Sequence, residues 1–103
     1  MKVVDEKDFQ EEIKKGVCLV DFYASWCGPC RIMSDILEDI AEELGEKVNV
    51  FKVDVDNAEK ISRSYGILSI PTLIIFKNGE LQEKHVGVWD QDDCVEAVKK
   101  YLD

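Results

Sequence analysis

Val17-Cys18-Leu19-Val20-Asp21-Phe22-Tyr23-Ala24-Ser25-Trp26-Cys27-Gly28-Pro29-Cys30 decides the fold. Val17 to Tyr23 is a nearly continuous apolar run, the pattern of a strand buried on both faces. The second half sets two cysteines three residues apart, just before a helical pattern begins. Ile32, Ile36, Leu37, Ile40, Ala41 and Leu44 recur at helical spacing, and Gly45 stops the helix. Glu38, Asp39, Glu42 and Glu43 fill its other face, a charge run most simply read as solvated.

On the N-terminal side, Lys2 to Val4 is a short candidate strand, and Asp5 is placed to cap a helix with Phe9 and Ile13 on one face. On the C-terminal side, Val48 to Val55 alternates like a strand. Asn57 to Tyr65 is a short helix with Ala58, Ile61 and Tyr65 inward, closed by Gly66. Thr72 to Lys77 is apolar and β-branched, and Asn78-Gly79 is a two-residue hairpin turn. The returning arm, Glu80 to Val88, is polar enough to be an edge strand. Asp90 caps a last helix burying Val95, Val98 and Leu102. The order βαβαβαββα predicts an α/β domain over residues 1–103, with a parallel core and an antiparallel edge.

A chain of 103 residues and 11.8 kDa has no room for a second core. Thirteen Lys and Arg stand against twenty-two Asp and Glu, a net charge of −9, which repels phosphate backbones and anionic lipids. Nucleic-acid and membrane partners are therefore not expected. Apolar runs such as Leu73 to Phe76 fall far short of the roughly 20 residues needed to cross a bilayer. Met1 to Gln10 is charged, without an apolar core or cleavage signal, so a cytoplasmic protein starting at Met1 is expected.

Trp26-Cys27-Gly28-Pro29-Cys30 concentrates the chemistry. One helical turn brings both sulfurs within bonding distance. Unpaired N–H groups and the positive end of the helix dipole favour a thiolate on Cys27, and the thiolate is the nucleophile. Pro29 fits the first turn, Gly28 permits the bend, and Cys30, one turn in, is suited to resolving a mixed disulfide. A zinc site would need a second ligand pair, and Cys18, Cys94 and His85 are unpaired in sequence, so no metal is expected. Asp21, among apolar neighbours, either lies at a strand end or is buried with a raised pKa. It is a candidate proton carrier for Cys30, a partner for Lys52 on the next strand, or both. Pro71 must open its strand, and a bare X-Pro bond is cis only about 5% of the time.

These residues, with Val20-Asp21-Phe22, Tyr65-Gly66-Ile67, Ile70-Pro71-Thr72, Phe76-Lys77-Asn78-Gly79 and Gly87, give a chain that resembles the thioredoxin family over essentially its whole length. The resemblance implies a central mixed five-stranded sheet flanked by four helices. It implies that Cys27 attacks a substrate disulfide, that Cys30 releases it, and that Asp21 and Lys52 are the family's buried acid and lysine. It implies a cis bond before Pro71 that presents the Ile70 backbone to substrate. Trp26, Val55, Ile70, Pro71, Gly87 and Val88 match its docking surface. The expected function is a general protein-disulfide reductase, a monomer with no cofactor beyond the Cys27–Cys30 pair, recycled by a thioredoxin reductase. A disulfide isomerase or oxidase, or a redox-independent subunit of a larger complex, are the alternatives.

The chain also departs from the family. Tyr23 stands where many members have Trp, Arg31 where Lys is usual, and Ser69 where Gly is usual. Asp35 replaces a helix-kinking proline, so a straighter helix is expected. Trp89 either widens the docking patch or covers the core. Cys18 reads as an inert buried thiol, Cys94 as the same or, if exposed, a regulatory one, and His85 as a solvated surface residue. The acidic groups lie on helices away from the Trp26–Ile70–Val88 side, so docking is expected to be apolar and backbone-mediated.

Overall fold

The computed structural model describes residues 1–102. Phe9–Glu12 (α1) leads to Val17–Tyr23 (β1), Gly28–Leu44 (α2), Asn49–Asp54 (β2), Glu59–Ser64 (α3), Thr72–Lys77 (β3), Glu80–Val86 (β4) and Gln91–Lys99 (α4). Short 3-10 turns at Gly45–Lys47 and Val55–Asn57 flank β2. The sheet has four strands in the order β2-β1-β3-β4.

Two expectations about the sheet are corrected. Lys2 to Val4 is not a fifth strand but a single parallel bridge, Val3 to Lys52. Two backbone bonds hold it, Val4 N–H to Lys52 O at 2.8 Å and Lys52 N–H to Lys2 O at 3.0 Å, before the chain turns off at Asp5. Nor is the core parallel. Only β1 and β2 run parallel, and β3 joins the other side of β1 antiparallel. The connection through α3 brings the chain back reversed, a matter of long-range geometry that an apolar run does not encode.

Alternation along β1 sorts the core into two layers. Leu19 faces α2 and α4, with Met33, Leu37, Ile40, Leu73, Ile75, Val95 and Val98. Val20 and Phe22 face α1 and α3, with Phe9, Phe51, Ile61, Ile74 and Phe76. A four-residue helix does not hold alone, so α1 depends on Phe9, whose ring lies 5.7 to 6.2 Å from those of Phe22, Phe51, Tyr65 and Phe76. This helix starts later than expected. Asp5 accepts the Asp8 N–H at 3.2 Å and caps the preceding turn instead.

α2 runs unbroken through Asp35 and ends at Gly45, whose positive φ of 57° suits glycine. Met33 rather than Ile32 takes the inward position in its first turns, and Ile32 is exposed. The hairpin is as expected, with φ of 52° at Asn78 and 88° at Gly79. Its β4 arm is mostly exposed and polar and ends at Val86, two residues earlier than the sequence suggests.

Candidate active site

The end of β1 delivers the chain to the N-terminus of α2, and Cys27 is the N-cap. Its extended backbone points the sulfur back at the open turn, where it accepts the Cys30 N–H at 3.2 Å. Cys27 and Cys30 form a disulfide with Cα atoms 5.3 Å apart. Both are buried, Cys30 more completely. Pro29 occupies the first turn, where its missing N–H leaves no bond unmade.

The chain before β3 closes the site from the other side. The Ile70-Pro71 peptide is cis, and the Ile70 carbonyl oxygen lies 3.9 Å from the Cys27 sulfur. Pro71 O accepts the Gly87 N–H at 2.8 Å, which carries Gly87 and the exposed Val88 alongside. Val55 and Ile70, both half-buried, pack against the cysteine pair. Trp26 is 71% exposed, and its indole N–H donates to Asp56 Oδ2 at 2.9 Å.

Asp21 sits inside β1, six residues before Cys27. It is 0% exposed, and among the described residues neither carboxyl oxygen has a hydrogen-bond partner. Burial pushes its pKa from 3.8 up to about 7, opposed only in part by the charge of Lys52. Asp21 and Lys52 are register neighbours on β1 and β2. They are not joined by a hydrogen bond. Lys52 Nζ donates instead to Ser34 Oγ at 3.0 Å and sits 4.1 Å above the Tyr23 ring. Ser34 is one turn after Cys30 on α2, so the two share a helix face. Tyr23, Cys30, Arg31, Ser34 and Lys52 line a surface cleft of about 400 Å³.

The remaining singled-out residues lie away from this chemistry. Cys18 and Cys94 are buried in the core layers on opposite faces of the sheet. Burial raises the Cys18 thiol pKa and pushes that of Cys94 up to about 12, so neither is a thiolate near neutrality. Trp89 covers the core rather than widening the docking patch, with its backbone N–H donating to Met33 Sδ at 3.2 Å. His85 is not simply solvated: its ring stacks on Trp89 at 4.5 Å and Nε2 lies 3.3 Å from Val88 O.

Ser34 and Asp56, which bond to the Lys52 and Trp26 side chains, escaped the sequence reading. Ser34 was findable from its spacing to Cys30. Asp56, thirty residues from Trp26, carries no local signal. Ile32 and Leu68, 57% and 97% exposed, are ordinary apolar letters until the fold leaves them in solvent.

A cysteine pair that opens and closes at this helix end exchanges two electrons with another disulfide, the work of a thiol–disulfide oxidoreductase. Known proteins point the same way. The family model named Thioredoxin matches residues 1–100. A thioredoxin from Listeria monocytogenes is 40% identical over 102 residues, covering 99% of both chains. One from Bacillus subtilis is 40% identical over 97 residues, covering 94% of this chain and 93% of its own. A solved mutant thioredoxin from Halobacterium salinarum superposes with a TM-score of 0.91 at 33% identity, covering 99% of this chain and 90% of that one. This chain belongs to the thioredoxin family and is a thiol–disulfide reductase.

Proposed function

We propose that Cys27 is the attacking sulfur, Cys30 the resolving one and Asp21 the proton carrier of a general protein-disulfide reductase. The observation that carries this assignment is the Cys27 sulfur at the α2 N-cap, accepting the Cys30 N–H at 3.2 Å. That N–H and the helix dipole stabilise negative charge on Cys27 in the reduced protein. The Cys27 thiolate attacks one sulfur of a partner disulfide and forms a mixed disulfide. The other partner sulfur leaves as a thiolate and takes a proton from solvent. Cys30 then gives its proton to the Asp21 carboxylate and attacks the Cys27 sulfur. The second partner thiolate leaves, and the Cys27–Cys30 disulfide seen here is the product. Two electrons pass to the partner, and the cysteine pair itself stores them, so no bound cofactor is required.

Trp26, Val55, Ile70, Pro71, Gly87 and Val88 supply the docking surface, and the half-buried Ile70 backbone beside the Cys27 sulfur supports pairing with an extended substrate segment. One domain spanning residues 1–103 carries the reaction as a monomer in the cytoplasm, and a thioredoxin reductase returns the electrons. The family relationship and a described chain with no helix long and apolar enough to cross a membrane support this setting.

Insulin reduction with dithiothreitol as donor tests the roles. Cys27→Ser abolishes it. Cys30→Ser leaves the protein trapped as a mixed disulfide with its partner, visible on a non-reducing gel. Retained activity in Cys27→Ser overturns the assignment. The reduction potential of the Cys27/Cys30 couple separates a reductant, at the low end of the thiol range, from an oxidase or isomerase.

A further inference from the structure

The geometry points to Ser34 and Tyr23 as positioning residues that hold the Lys52 ammonium at a standoff from Asp21, an inference that rests on the proton-carrier role proposed above. Lys52 is directly beside Asp21 in the sheet, and Leu19–Val50, Asp21–Lys52 and Tyr23–Asp54 are successive register pairs on the face toward α2. An ammonium so placed has an obvious partner in a fully buried carboxyl with no hydrogen bond among the described residues. It nevertheless bonds elsewhere. Ser34 Oγ accepts a hydrogen bond from it at 3.0 Å on the α2 side, and the centre of the Tyr23 ring lies 4.1 Å from it. A hydroxyl and a π-face are both good neutral hosts for an ammonium. Together they satisfy Lys52 without an ion pair.

The standoff has a chemical purpose. A contact ion pair lowers a carboxyl pKa by roughly 1–3 units and makes it a poorer base. Held back, Lys52 tempers the effect of burial on Asp21 without cancelling it, and the carboxyl stays able to gain and lose a proton near neutrality. Arg31 is the other cation at the cleft, but it is exposed, whereas Lys52 is half-buried beside Asp21. On the α2 side the groups are the Cys27–Cys30 pair and, along the cleft, Arg31 and Asp35. β2 contributes Lys52 and Asp54, and β1 contributes Tyr23. β3 offers the apolar Leu73 opposite Asp21, and α4 adds only the buried Cys94 thiol to this layer.

The test is the pH titration of the Asp21 side-chain carboxyl carbon by NMR in the oxidised full chain, in which Cys27 and Cys30 do not titrate. In Ser34→Ala the ammonium loses its host and moves onto Asp21, and the midpoint falls by about one unit, a tenfold change in acidity. Ser34→Thr restores the hydroxyl and the wild-type midpoint. Tyr23→Leu removes the ring face and shifts the midpoint in the same direction as Ser34→Ala. In a Lys52→Met background the Ser34→Ala shift vanishes, because Ser34 acts only through Lys52. An unmoved or rising midpoint in Ser34→Ala overturns the inference, as does an equal shift without Lys52. The titration needs no partner protein, so it succeeds or fails independently of the insulin assay.

Discussion

Asp21 is costly to keep ionised where the fold places it. A carboxyl at 0% exposure with no hydrogen-bond partner among the described residues is held against a large desolvation penalty when it ionises. Its pKa is 3.8 in the unfolded chain and about 7 in the folded one, so between those values the native state keeps a proton that the unfolded state has released. The Asp21 contribution to stability therefore falls as pH rises from about 4 to about 7 and levels off above that. Asp21→Asn removes the ionisation, and its stability advantage over the wild type should open with pH toward a ceiling of about 4 kcal/mol. Urea unfolding of the oxidised proteins at pH 5 and pH 8 measures this, and an equal advantage at both counts against the buried-carboxyl account. The same variant should lengthen the life of the mixed disulfide by roughly tenfold to a hundredfold. Asp21 was legible because every neighbour in its strand is apolar, which leaves only burial or a strand end to explain it. The placement of Lys52 was legible as adjacency alone. Its bond to Ser34 depends on how α2 lies across β2, and no spacing within one element reports that.

At the scale of elements, α3 shows how a segment too short to hold itself is held by others. Six residues lie below the length at which a helix is stable alone. The Glu6 carboxylate, fifty-five residues earlier, accepts the Ile61 N–H at 2.9 Å, in the first turn of α3. Lys84, from β4, donates to the Tyr65 and Gly66 carbonyls at 2.8 and 3.0 Å, just past its other end. Negative charge at the N-terminus and positive charge at the C-terminus both suit the helix dipole. Glu6→Ala should cost about 1 kcal/mol, the usual worth of an N-cap. Amide exchange should quicken first in α3 and in the stretch leading to Ile70. A loss of protection spread evenly over the sheet instead would show that Glu6 acts elsewhere. Helix patterns, the Asn78-Gly79 turn and the polar edge strand were all readable locally, because each depends on spacing or on a backbone angle that few residues tolerate. Strand pairing was not. Val3 and Thr72 to Lys77 both read as strand, yet one makes a single bridge and the other runs antiparallel in the middle of the sheet.

Across the whole molecule, the net charge of −9 and the proposed docking surface divide the work. Glu38, Asp39, Glu42 and Glu43 are all exposed on the outer face of α2, where they favour solubility without facing the disulfide. Around the disulfide the chain instead leaves apolar side chains in water. Trp26 adjoins Cys27, Val88 follows the Gly87 bonded to Pro71, and Leu68 stands two residues before the Ile70 that touches the Cys27 sulfur. An exposed leucine is unremarkable by itself, but at 97% exposure Leu68 packs against almost nothing in its own chain. Its removal should therefore leave folding stability within about 0.5 kcal/mol of the wild type. If it is covered when a protein substrate docks, Leu68→Ser loses part of a leucine's burial, about 1 kcal/mol or roughly fivefold in kcat/KM for insulin. A small soluble disulfide buries no such surface, so its reduction should proceed at the wild-type rate. Parallel measurement of both substrates separates docking from chemistry. A fall for insulin alone places Leu68 in the docking surface, an equal fall for both puts its effect on the cysteine pair, and no fall for either removes it from the site.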